Sequence, residues 1–448
     1  MTKQNSPLVL GTEPIGKLLT QYAIPAIIAM TASSLYNMAD SIFIGHGVGA
    51  LAISGLALTF PLMNLAAAFG SLVGVGASTL VAVKLGQKDY EGANKVLGNV
   101  LILNVVLGVA FTIAFLFLLD PVLYFFGASE NTISYARDYM RIILYGNVVT
   151  HMYLGLNAVL RSSGFPKMAM YATLASVVIN CALNPLFIFG FGWGIKGSAW
   201  ATVISQVISL TGQLIHFSRP KQLLHFKKGI YRLRSEIVKG ILSIGLSPFL
   251  MNLCSCLIVI LINRGLKEHG GDMAIGAYGI VNRIAFLFVM IIMGFNQGMQ
   301  PIAGYNYGAR LYSRVTDVTR LTMRWAVGVT CLVFLLCQLP SWIVRMFTSD
   351  GELISAASYG LHIVFAVFPI VGFQMVATNF FLSIGMSKKA IFLSLTRQML
   401  FLIPCLILLP PLFGTLGVWI SMPIADTVAA IVTAIVLVKQ FKQFKYGT

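Results

Sequence analysis

Apolar residues in this chain gather in blocks of roughly 20 or more, the length that crosses a hydrocarbon core of about 30 Å at about 1.5 Å per residue. About twelve such blocks can be marked: 17–41, 56–83, 97–119, 133–160, 168–190 and 195–216, then 238–262, 275–305, 321–340, 354–384, 389–412 and 415–438. Each predicts a membrane-spanning helix, and the short polar stretches between them predict loops. Several blocks contain proline, which membrane helices tolerate when neighbours satisfy the freed carbonyls; bends are expected above all at Pro25 and Pro248. The chain does not open with a short apolar core followed by a small-residue cleavage site, so the first span is expected to remain in the mature protein.

Composition agrees with lipid as the main solvent. Of 448 residues, 57% are hydrophobic and 10% charged, too few polar groups to cover a water-soluble surface. The net charge of +17 would suggest nucleic acid in a soluble protein, but its placement excludes that partner. Lysine and arginine collect in alternate loops: Lys84, Lys88 and Lys95; Arg219 to Lys239; Arg310 to Arg324; Lys388, Lys389 and Arg397; Lys439 to Lys445. The positive-inside rule then predicts a multi-pass membrane protein with both termini in the cytoplasm, its basic loops against anionic lipid headgroups. The six cysteines all fall inside apolar blocks and read as small buried hydrophobes, with no disulfide and no metal site implied.

The two halves of the chain resemble each other. Gly86–Val96 (GQKDYEGANKV) matches Gly308–Val318 (GARLYSRVTDV), Arg161–Ala169 matches Leu382–Ala390, and Pro25 aligns with Pro248, all at nearly one offset. Six spans per half return the second half in the same orientation, so the repeat is parallel, about an axis along the membrane normal. The expected division is an amino-terminal six-helix lobe over 1–220, a basic cytoplasmic linker over 221–237, and a carboxy-terminal lobe over 238–448.

Three stretches carry a family resemblance: LYNMADSIFIG (Leu35–Gly45), LGQKDYEGANKVL after the second span, and NPLFIFGFGWGIKGSAWATVISQ (Asn184–Gln206). With the twelve-span repeat, they make the chain similar over nearly its whole length to multidrug and toxic compound extrusion (MATE) transporters, in particular their MepA-like bacterial branch. The resemblance implies an all-α polytopic membrane protein of two pseudo-symmetric lobes. It also implies secondary export of lipophilic cationic drugs in exchange for an inward-moving cation.

An ionisable side chain inside a membrane is a functional candidate by default. Among 14 acidic residues only Asp40 and Asp426 lie well within spans. Tyr36 and Asn37 precede Asp40 by four and three residues, on the same helix face. Asn180 and Asn184 share a face of the fifth span, and Thr202 lies on the sixth. In the family the positions matching Asp40, Asn180, Asn184 and Thr202 line a cation site, and Asn37 is added to them here for its place beside Asp40. Many relatives have an acid where this chain has Asn184, which favours a proton over sodium as coupling ion. No other cofactor is implied. The repeat partner of Asp40 is Asn263, and the seventh span reads NLCSC where the NorM-like branch has a glutamate. Asp426 is therefore the candidate acid of the second lobe, with a second proton site, a drug counter-charge and a structural hydrogen bond all open.

A drug cleft needs surfaces that repack around varied cations, which thioethers and aromatic faces supply. The positions singled out are Met30, Tyr36, Met38 and Met63 in the first two spans and Phe286, Met290, Met293 and Phe295 in the eighth. A monomer is expected. The competing reading is a flippase or exporter of lipid-linked glycan precursors, whose phosphates call for several basic residues in the pathway; only Arg283 stands out as intramembrane. HExxH, GxSxG and GxxxxGK[ST] are absent, which speaks against an enzyme and an ATP-driven pump.

Overall fold

The computed structural model describes residues 7–346 and 349–446. Its helices follow the apolar blocks and overrun them into the interfacial regions: α1 (Ile15–Gly47), α2 (Ala50–Gly86), α3 (Tyr90–Phe117), α4 and α5 (Ile133–Tyr145 and Asn147–Ser162), α6 (Pro166–Pro185) and α7 (Ile195–Phe217). The second half holds α8 (Ser235–Gly271), α9 (Met273–Gly308), α10 (Tyr312–Leu336), α11 and α12 (Gly351–Phe365 and Phe368–Ser383), α13 (Ser387–Leu395) and α14 (Thr415–Tyr446). Helical residues run on through Pro25 in α1 and through Pro248 in α8. Among the described residues nine helices are long and apolar enough to span a membrane, or eleven with the bent pairs α4–α5 (55°) and α11–α12 (51°) each taken as one span. The Ile195–Phe217 helix is not among them, because one of its faces is polar along its whole length.

Backbone geometry carries the internal repeat. Among the described residues, eight of the eleven with left-handed φ come in pairs: Gly49 and Gly271, Lys88 and Arg310, Gly164 and Gly385, Gly194 and Gly414. The last pair is nearly superposable in torsion (φ 59, ψ −137 and φ 62, ψ −138). Each half also continues a helix into a π-helical stretch, Leu186–Gly190 after α6 and Thr396–Leu402 after α13.

Spatial proximity divides the chain into two units whose boundaries do not follow chain order. One holds residues up to Thr12 with Ile28–Phe249, the other Glu13–Ile27 with Leu250 onwards. Allegiance thus changes within α1 just after Pro25 and within α8 just after Pro248.

In the first unit the core is built from Ile44, Leu62, Phe111, Tyr139, Met140 and Ile195. The first part of α8 crosses α2 closely, with Gly76 against the backbone of Ile241 and Gly245 against that of Leu72. Lipid tails are as apolar as leucine, so helices associate through such close packing of small residues rather than through a hydrophobic drive. The segment between α7 and α8 is tied to α3. Asn94 donates to Leu223 O (3.2 Å) and accepts from His225 N (3.0 Å), while Asn99 donates to Arg232 O (3.1 Å) and accepts from Arg234 N (3.0 Å). The basic linker is therefore an ordered part of this unit.

In the second unit the core gathers Ile258, Ile262, Leu266, Tyr278, Phe365, Phe368 and Trp419. The first part of α1 packs here: Gly294 and Gly298 of α9 meet the backbone of Ile27 and Ala23, and Arg314 Nη2 donates to Glu13 O (2.5 Å). Large apolar side chains such as Phe117, Val178 and Leu412 face outward, as a lipid-solvated surface requires.

Candidate functional site

Asp40 lies in the second half of α1 and is buried, 6% exposed. Its Oδ1 accepts from Asn184 Nδ2 at 2.9 Å and from the Ser198 hydroxyl. Asn184 stands at the end of α6, one residue before Pro185 and the π-helical stretch. It also donates to Asn180 Oδ1 (2.7 Å), and Asn180 Nδ2 donates to Thr202 Oγ1 (3.1 Å). Thr202 Oγ1 in turn bonds the Tyr36 hydroxyl (2.9 Å) and donates to Ser198 O (3.2 Å). Three helices thus hold one carboxylate in a net of neutral groups, and among the described residues no basic side chain pairs with it. Burial of an ionised carboxylate is tolerable only with such hydrogen bonds. The Asn184 carbonyl oxygen, also buried, has no protein partner among the described residues.

The structure brings Asp40, Asn180, Asn184 and Thr202 together, and adds Tyr36. Asn37 stands apart: it donates to Ser33 O (3.1 Å) and lines a cavity of about 170 Å3 with Tyr36, Ser176, Thr202, Ser205 and Gln206. Ser198 is the residue that sequence reasoning missed. The signal was its place four residues before Thr202, on the same face of α7.

In the second unit Asp426 on α14 is not a lone acid. Arg397 Nε donates to its Oδ1 at 2.5 Å, and the Asp426 side chain is 9% exposed. Arg397 belongs to the π-helical stretch Thr396–Leu402, so it sits inside the eleventh apolar block and not in the basic loop to which its position after Lys388 and Lys389 had assigned it. Among the residues considered for a drug surface, Met63 is partly buried and its sulfur accepts from Thr59 (3.7 Å), and Met30 is likewise partly buried in the first unit. Phe286 and Met293 on α9 are exposed, Met290 is half-buried, and Phe295 packs on Trp325 (6.0 Å). The Met38 side chain lies outside the described residues.

Comparison with known proteins bears on what this arrangement serves. The MatE family model matches residues 25–186 and again 244–408, one match per half. The multidrug export protein MepA of Staphylococcus haemolyticus (strain JCSC1435) is 29% identical over 423 residues, 93% of this chain and 92% of that protein. Among solved structures, a MATE protein in the bent conformation superposes with a TM-score of 0.94 at 25% identity, covering 99% of each chain. The MATE multidrug transporter DinF-BH gives 0.90 at 38% identity over 98% of each chain. The repeat, the all-helical membrane architecture and these matches together show that the chain belongs to the MATE family of multidrug transporters.

Proposed function

We propose that this protein exports lipophilic cationic drugs from the bacterial cytoplasm across the inner membrane by exchange with protons, and that Asp40 is the exchanging group. The observation that carries the reading is the pattern of donors around Asp40. What faces its Oδ1 is an amide N–H and a hydroxyl O–H, groups that favour an ionised carboxylate and point hydrogens, not oxygens, at it. A hard cation such as sodium needs several inward-facing oxygens and gains from more than one negative charge; here the neighbouring amide is the neutral Asn184. When Asp40 takes a proton it gains a donor, and a half-turn of the Asn184 amide presents an acceptor to it. The site is then neutral, and a cationic drug loses the charge that attracted it. Proton and drug compete through one carboxylate, the linkage that exchange requires. Asp426 is less suited to this role, because Arg397 already balances its charge. The same ion pair occupies the second intramembrane arginine, which lowers the case for phosphate-bearing lipid precursors.

The test uses purified protein in liposomes and ethidium as a monovalent lipophilic cation. A pH gradient alone should drive ethidium uphill. A sodium gradient alone, with pH gradient and membrane potential both clamped at zero, should not; sustained uphill movement there overturns the proton assignment.

A further inference from the structure

We propose that the polar face of α7 is the route by which the Asp40 proton leaves for the side of the membrane that carries the basic linker. Ser198, Thr202, Ser205, Ser209, Gln213 and His216 recur every three or four residues and so share one stripe of the helix. All six are buried, none more than 6% exposed. From the first to the last the stripe is about 27 Å long at about 1.5 Å per residue, nearly the thickness of the hydrocarbon core. Its upper end is Ser198, which donates to Asp40. Its lower end is His216, one residue before α7 ends and five before residue 221, where the basic linker begins.

The half of the stripe near Asp40 is satisfied by protein: Thr202 by Asn180 and Tyr36, Ser205 by its own helix and, at 3.5 Å, Ser176. The half towards the linker differs. Ser209 Oγ, both ends of the Gln213 amide and His216 Nε2 are buried and have no protein partner among the described residues. Four orphaned polar atoms in succession on one face of a membrane helix are costly unless water meets them. The 170 Å3 cavity touching Thr202, Ser205 and Gln206 lies at the junction of the two halves and has room for several waters. Hydroxyls, a primary amide and an imidazole each accept a proton-bearing water on one side and donate on the other. Asp40 therefore gives up its proton and becomes a carboxylate. Each water in the path takes one proton and passes one on, the Ser209 hydroxyl and the Gln213 amide hold those waters in line by hydrogen bonds without changing their own protonation, and His216 Nε2 receives one proton and releases one to solvent. The rings of Phe165 and Phe217, 4.5 and 5.4 Å from the imidazole, keep bulk water and ions from flooding the path at its end.

This inference rests on the proton reading above, and its test keeps the two apart. In liposomes, Gln213→Leu should lower pH-driven ethidium efflux at least tenfold, while ethidium–ethidium exchange at equal pH, which needs no proton transfer, stays within twofold of wild type. Ser209→Ala, which removes one oxygen, should raise the slowing of pH-driven efflux in D2O above that of wild type. Wild-type efflux by Gln213→Leu, or a parallel fall of efflux and exchange, overturns the route. If Gln213→Leu fails to insert, an unchanged rate and D2O effect in Ser209→Ala overturns it. If Asp40→Asn still pumps on a pH gradient, the proton reading itself falls; if Asp40→Asn is dead and Gln213→Leu is normal, only the route does.

Discussion

Replacing Asp40 by asparagine separates coupling from folding more cleanly than any other change in this protein. Asparagine keeps an oxygen where Oδ1 now accepts from Asn184 and Ser198, and its new amide hydrogens face a neighbourhood in which the buried Asn184 carbonyl lacks a protein partner. The expected stability change is within about 1 kcal/mol, one ordinary hydrogen bond. Leucine at the same place orphans both donors, at about 1–3 kcal/mol each, or ~2–6 kcal/mol together. Coupling should be lost in both variants alike, because neither side chain can carry a proton. One carboxylate carries one proton, and one pH unit is worth about 1.4 kcal/mol, a factor of ten in concentration. Exchange of one proton for one monovalent drug moves no net charge, so the membrane potential adds nothing. A gradient of two pH units should then sustain an ethidium gradient of at most about a hundredfold in wild type, and none in Asp40→Asn. The assay is steady-state ethidium distribution in proteoliposomes beside melting in detergent. Uphill accumulation by Asp40→Asn, or a wild-type gradient clearly beyond the one-proton limit, would refute the reasoning.

Other consequences can be measured as directly. Arg397→Leu or Asp426→Asn alone should cost about 3–5 kcal/mol, the penalty for an uncompensated buried charge, whereas Arg397→Met with Asp426→Leu should recover most of it; thermal melting of the purified variants checks this, and single changes costing under about 1 kcal/mol would mean the pair is solvated. Asp89, outside the membrane, caps α3 by accepting from Gly92 N (2.8 Å), and the Lys84 ammonium first, with that amide after it, holds its carboxyl below the usual aspartate range. Its contribution is present above the unfolded value of about 3.9 and is lost as pH falls through the depressed folded value. Asp89→Ala should therefore cost about 0.5–1 kcal/mol at neutral pH, the low end for a half-exposed cap, and nothing in strong acid, as melting across pH would record. A cysteine introduced between residues 221 and 235 should resist impermeant thiol reagents in intact cells and react in everted vesicles; labelling in intact cells would reverse the orientation.

Much of this architecture is legible in the sequence because lipid leaves a chain few choices. A helix must satisfy its own backbone and be long enough to cross, so length and apolarity alone outline the spans. The site was legible for a related reason: a carboxylate in a membrane is conspicuous, and Asn180 and Asn184 share a face at four residues' spacing. Ser198 escaped notice because a helical serine often bonds its own backbone and gives no pattern of its own. Arg397 was misplaced because its nearness to Lys388 and Lys389 outweighed its place eight residues inside the apolar block 389–412. The halves of α1 and α8 are apolar on either side of their prolines, so nothing in their composition says that each half belongs to a different unit.

That exchange of helix halves bears on how the chain is assembled as it leaves the ribosome. The amino-terminal unit is incomplete until residues near Phe249 have emerged, because α2 packs on the first part of α8. Glu13–Ile27 has a longer wait: Ala23 and Ile27 meet Gly298 and Gly294, and Glu13 meets Arg314, all made some 270 to 300 residues later by their numbering. Until then the first part of α1 sits in the bilayer with its packing face against lipid, held in place only by the second part of the same helix. Neither half-protein cut in the linker would contain the parts of one whole unit. Early loss of the chain to quality control, rather than loss of transport, is the fate this topology sets for any change that weakens the late closure of α9 on α1.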